Sequence, residues 1–85
     1  MEKFAYVITN PEGIHARPAG MLVKAALQFQ SSVILEKGDR TGDAKRIFSV
    51  IGLGVKMGDE VIVTREGADE DAAASAIKEF FQENL

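Results

Sequence analysis

The chain has 85 residues, one histidine, no cysteine, 46% hydrophobic and 27% charged side chains and a net charge of −3, a balance that fits a single domain, 1–85, built on one modest core. It offers no apolar run near the roughly 20 residues that cross a bilayer, no export signal and no disulfide framework, so a cytoplasmic protein without membrane insertion is expected. The acidic balance argues against nucleic acid, which needs several Lys or Arg on its phosphates, and favours a protein partner or a small anion.

The stretch 3–9, KFAYVIT, is rich in β-branched and aromatic residues, with Phe4, Tyr6 and Ile8 alternating onto one face, and predicts a first strand. NPEG, 10–13, places Pro11 and Gly13 at the second and fourth positions of a type I turn. From Ala16 to about Gln28, Ala19, Leu22, Ala26 and Phe29 recur at helical spacing, the mark of an amphipathic helix. SSVILEK, 31–37, predicts a second strand, and Gly38-Asp39 a tight link to a short third strand at 40–43. KRIFSVIGLG predicts one or two helical turns that Gly52 or Gly54 ends in the left-handed conformation. DEVIVTREG supplies a fourth strand with Val61 and Val63 inward, and Val7, Ile34 and Ile62 are expected on the other sheet face. A final helix follows Asp69, with acids in its first turn and a stripe of Ala73, Ile77, Phe80 and Phe81. The order β-α-β-β-α-β-α points to an α+β fold with helices packed on one face of an antiparallel sheet.

A lone histidine is most often a surface or satisfied structural residue, but the surroundings of His15 reverse that expectation. It follows a glycine-containing turn and precedes a helix, so the unpaired N–H groups of Ala16 and Arg17 face whatever its ring carries. Arg17 adds a guanidinium that can fork onto two anionic oxygens, and Pro18 presets the first turn. Together they make an anion cradle around a nucleophile. Gly20, Met21, Lys24 and Leu27 lie away from the apolar stripe of the first long helix, and with Ile47, Phe48 and Ile51 they outline an exposed apolar patch. Lys24, Lys45 and Arg46 ring it with positive charge, whereas Glu66, Asp69, Glu70, Asp71, Glu79 and Glu83 are expected towards the other end, an asymmetry that would steer acidic partners to His15.

GIHARPA, 13–19, resembles the active-site signature of HPr, the histidine-containing phosphocarrier family of the phosphoenolpyruvate:sugar phosphotransferase system. AKRIFSVIGLGVKMGDEV and EGADEDAA resemble the family's second helix and its entry into the last helix, and the likeness extends over essentially the whole chain. The resemblance implies an open-faced β-sandwich, a four-stranded antiparallel sheet with three helices on one face. It also implies a phosphoryl-group carrier rather than an enzyme: enzyme I charges the histidine on Nδ1 and the carrier delivers the group to sugar-specific enzyme IIA domains. Carried over, His15 is the phospho-acceptor, Arg17 the charge stabiliser, Ala16 an N–H donor, and the two helices around the patch the docking surface. No metal or other cofactor is expected on the carrier, which should act as a monomer. One residue departs from the pattern: many HPr proteins of Gram-positive bacteria have a serine, the target of a regulatory kinase, where this chain has Arg46, so no regulatory site is expected there. Acylphosphatase-like and metallochaperone readings lack their phosphate loop and their paired cysteines. An HPr paralogue in a nitrogen-related or regulatory phosphorelay stays open as the alternative.

Overall fold

In the computed structural model, which describes residues 2–85, the chain runs β1 (Glu2–Val7), α1 (Ala16–Ala26), β2 (Ser32–Lys37), β3 (Arg40–Asp43), α2 (Ile47–Ile51), β4 (Glu60–Glu66) and α3 (Glu70–Asn84). The element order expected from the sequence is therefore present, with two ends displaced by two residues. The first strand stops at Val7 rather than at 9, because the N–H groups of Thr9 and Asn10 turn to the carbonyl of Leu85 instead of a strand. Helix α1 stops two residues short of Gln28, where Gln28 and Phe29 donate back three residues, to Ala25 and Ala26, and tighten the exit. Of the two candidate helix-ending glycines, Gly54 takes the left-handed conformation, at φ +65°, while Gly52 stays right-handed as the C-cap of α2. Gly38, at φ +60°, makes the β2–β3 turn.

The sheet is antiparallel in the order β1-β4-β2-β3. Its register lines Phe4, Val63, Leu35 and Gly42 across the inner face. Alternation along β4 is complete: Val61 and Val63 are fully buried and Ile62 only partly so. Val7 is exposed and Ile34 half-buried, as expected for the open face. The inner face meets Leu22 and Ala26 of α1, Val50 of α2 and Ile77 and Phe81 of α3, all fully buried. Phe81 is the centre of an aromatic cluster, with Phe4, Tyr6 and Phe80 each edge-on to it. Gly42 brings α2 close, since a Cβ there would lie 2.8 Å from the carbonyl oxygen of Ser49.

Two carboxylates tie the connections. Asp69, the N-cap of α3, accepts from the N–H groups of Gln30 and Ser31 at 2.8 Å and from the Ser31 hydroxyl. The Ser31 hydroxyl, then the Gln30 N–H, hold the Asp69 carboxyl below the usual aspartate range. Asp59 accepts from Lys56 N–H at 2.8 Å and pairs with Lys37 Nζ at 3.1 Å, and these contacts, the N–H first, lower its carboxyl in the same way. Lys37 also donates to the carbonyl of Gly54 at 2.8 Å, fastening β2 to the loop after α2. Among the described residues no helix is long and apolar enough to cross a membrane.

Candidate functional site

The segment leading into α1 is built to present His15. Gly13 N–H donates to the carbonyl of Asn10 at 2.9 Å, closing the turn expected at 10–13, and Glu12 N–H donates to Asn10 Oδ1 at 2.9 Å. Gly13 is at φ +65°, and a Cβ on it would stand 2.3 Å from the carbonyl oxygen of Val55. That close approach lets Ile14, which is buried, donate to the same oxygen at 3.1 Å. The turn is thus sewn to the loop after α2, and the next residue emerges as the N-cap of α1.

His15 has extended backbone, φ −90° and ψ −177°, and its carbonyl accepts from Ala19 N–H at 3.0 Å. Its side chain makes no capping hydrogen bond, which leaves the imidazole outside the helix's own bonding. The N–H groups of Ala16 and Arg17 have no acceptor among the described residues, and α1 has no acidic residue in its first turn. The positive end of the helix is therefore open towards an anion. Pro18 is buried in that turn, where its missing N–H costs nothing.

His15, Arg17, Pro18 and Met21 line a cleft of about 200 Å³ together with Asn10 and Asn84. The His15 side chain is 36% exposed, and its Nε2 lies 3.3 Å from Oε2 of Glu12. Arg17 is exposed and has no carboxylate partner among the described residues. The far wall comes from the opposite end of the chain: Asn10 Nδ2 donates to the Asn84 carbonyl at 3.1 Å, and the Thr9 hydroxyl to that of Leu85 at 3.0 Å. Helix α3 therefore runs from Ser31 to the histidine, so Glu83, in its last turn, arrives at the His15 end rather than opposite it.

Gly20, Met21 and Lys24 lie on α1 and Leu27 caps its end, while Ile47, Phe48 and Ile51 lie on α2; Met21 and Lys24 also line a second cleft with Ala25, Gln28 and, from α3, Phe80. A Cβ on Gly20 would touch Ile47 Cδ1 at 3.7 Å, so this glycine is where the two helices meet. Phe48 is 85% exposed, and Met21, Leu27, Ile47 and Ile51 also present apolar surface. Lys24 is exposed beside them, Lys45 is tethered through Nζ to the Phe29 carbonyl at 2.8 Å, and Arg46 is the exposed N-cap of α2. Ser49 turns its hydroxyl to the N–H of Asp43 at 2.9 Å, while Thr41 is exposed on β3.

Asn10, Glu12 and Asn84 join the site without being expected there from the sequence. Asn-Pro-Glu-Gly does carry a signal for the first two, since an asparagine before proline favours a side-chain-capped turn. Asn84 has none: 74 residues separate it from Asn10, and the last turn of an amphipathic helix looks alike wherever it lands.

The family described as "PTS HPr component phosphorylation site" matches residues 2–83 of the chain. The phosphocarrier protein HPr of Mycoplasma capricolum is 38% identical over 79 residues, which cover 93% of this chain and 89% of that protein. Among solved structures, a mycoplasma histidine-containing phosphocarrier protein superposes with a TM-score of 0.94 at 35% identity, over 96% of this chain and 93% of the other. The HPr of Thermoanaerobacter tengcongensis, described as a dimer, matches with a TM-score of 0.77 at 35% identity, over 98% and 95% of the two chains.

Proposed function

Because the chain belongs to the HPr family of phosphocarrier proteins, we propose that its His15 takes a phosphoryl group from enzyme I onto Nδ1 and passes it to sugar-specific enzyme IIA domains. The observation that carries this reading is the position of the histidine: it caps α1 without spending its side chain on the cap, in a cleft with the unpaired Arg17. Phosphoryl transfer asks little of a small protein, because its transition state is loose and catalysis is mostly positioning and charge stabilisation. Arg17 meets the equatorial oxygens, and the N–H groups of Ala16 and Arg17 add donors from the helix end. No metal or cofactor on the carrier enters this scheme.

Docking falls to the surface beside the cleft. Gly20, Met21, Leu27, Ile47, Phe48 and Ile51 give it an apolar centre, and Arg17, Lys24 and Arg46 a cationic rim. That combination suits an acidic partner with an apolar pocket. Arg46 has no hydroxyl, so control by a kinase at the start of α2 is absent from this carrier. It works as a cytoplasmic monomer in this reading, which sedimentation at micromolar concentration checks against the dimer described for the T. tengcongensis relative.

The test is incubation with enzyme I and phosphoenolpyruvate followed by intact mass. One acid-labile, alkali-stable phosphoryl group is expected on the wild type and none on His15→Ala. Labelling of His15→Ala at the wild-type rate would overturn the assignment.

A further inference from the structure

We propose that Glu12 is a positioning residue for the phosphoryl acceptor: its carboxylate holds the ring proton of His15 on Nε2 and leaves Nδ1 as the bare nucleophile. The proposal rests on His15 being the acceptor and adds how the correct nitrogen is chosen. Oε2 of Glu12 stands 3.3 Å from Nε2. With the proton on Nε2 that contact sets an N–H dipole against a negative charge; with the proton on Nδ1 it sets a lone pair against the same charge. The contact is an ion-pair distance and not a formed hydrogen bond, so the preference is the electrostatic one of a charge beside the ring. Glu12 is kept in place by backbone rather than by packing, through its N–H to Asn10 Oδ1 and the adjoining Gly13–Asn10 turn bond.

The arrangement divides the charges of the reaction between two sides of the ring. In the first step the Nδ1 lone pair attacks phosphorus, and the bond from phosphorus to the donor breaks with its electron pair leaving on the donor. The ring keeps its Nε2 proton and becomes a phosphoimidazolium, whose positive charge faces Glu12 while the phosphoryl oxygens face Arg17. In the second step the acceptor's nucleophile binds phosphorus, the Nδ1–phosphorus bond breaks, and its pair returns to Nδ1. The neutral ring with its Nε2 proton is restored. No proton leaves or joins His15 in either direction, so the carrier needs no general base of its own. The carboxylate lies against the nitrogen that is not phosphorylated, where its repulsion of the incoming group is least.

Glu12 is exposed, so the effect has the size of a surface charge contact. In protein labelled with ¹⁵N at His15, long-range ¹⁵N–¹H spectra of the neutral ring report the ratio of the Nε2–H to the Nδ1–H tautomer. Glu12→Gln should lower that ratio about 1.4- to 5-fold, with an unchanged amide spectrum. High salt should carry the wild type towards the variant. Single-turnover transfer from enzyme I should slow by no more than that factor with KM unchanged, because docking lies elsewhere. An unchanged tautomer ratio in Glu12→Gln overturns the role of Glu12 even where His15 is labelled normally. A wild type that enzyme I does not label overturns the phosphocarrier reading instead.

Discussion

Replacing Gly13 by alanine separates two roles of glycine that a second position, Gly38, shows singly. Both residues have φ near +60°, at +65° and +60°. Around Gly38 a new Cβ meets nothing within 4 Å, so Gly38→Ala carries only the cost of a left-handed L-residue, about 1 kcal/mol after the loss of unfolded-state freedom is credited. At Gly13 the same atom would stand 2.3 Å from the carbonyl oxygen and 3.0 Å from the carbonyl carbon of Val55, with ordinary contact beginning at 3.4 Å. The loop has to retreat by roughly 1 Å, and backbone, unlike a side-chain tip, does not swing aside. That retreat breaks the bond from Ile14 N–H to Val55 and leaves a buried donor unpaired, which costs about 1–3 kcal/mol more. The sum is about 2–4 kcal/mol, or a melting point lower by roughly 8–30 °C, against about 4–8 °C for Gly38→Ala. Thermal unfolding followed by circular dichroism measures both. If Gly13→Ala melts within a few degrees of Gly38→Ala, the seam between the turn and the 52–58 loop does not hold His15 as argued.

Arg17→Ala should slow phosphoryl transfer tens- to hundreds-fold, the cost of one preorganised donor, with its melting point almost unmoved because the side chain is exposed and unpaired. Phe48→Ala should raise KM for enzyme I about tenfold or more and leave stability unchanged, since an aromatic 85% exposed packs on nothing in the free protein. Phe81→Ala should cost about 3–5 kcal/mol in urea unfolding, as it removes the fully buried ring that Phe4, Tyr6 and Phe80 abut. Asp69→Asn should be less stable than the wild type at neutral pH. A carboxyl lowered by folding stabilises above its unfolded value, about 4, and loses that contribution as pH falls through its folded value, so the two proteins should converge in acid.

Local periodicity was enough for the elements that bury an apolar face, because their apolar spacing says which; β3, Arg40–Asp43, has no apolar side chain and follows from the Gly38-Asp39 turn instead. Val61 and Val63, or Ala19, Leu22 and Ala26, are read from neighbours two to four residues away. His15 and Arg17 were legible for the same reason: a turn, a cap and a helical first turn are all local. The missing pieces are contacts between distant parts of the chain. Asp69 reaches back 38 residues to Ser31, Lys37 spans 17 to Gly54, and Asn84 closes the cleft from 74 residues beyond Asn10. Each is a polar side chain meeting a backbone group, and a backbone group leaves no mark in composition. β1 ends at Val7 on the same account: Ile8 and Thr9 have strand-like side chains, but the N–H groups of Thr9 and Asn10 go to the carbonyl of Leu85.

That the chain passes a phosphoryl group on, rather than merely receiving one, is tested by a two-stage transfer. The protein charged by enzyme I and phosphoenolpyruvate is separated from both, mixed with an enzyme IIA domain, and the masses of the two proteins are followed with free phosphate. One phosphoryl group should leave His15 and appear on the enzyme IIA domain in equal amount. Release of that group as inorganic phosphate, with the enzyme IIA domain unchanged in mass, would contradict it.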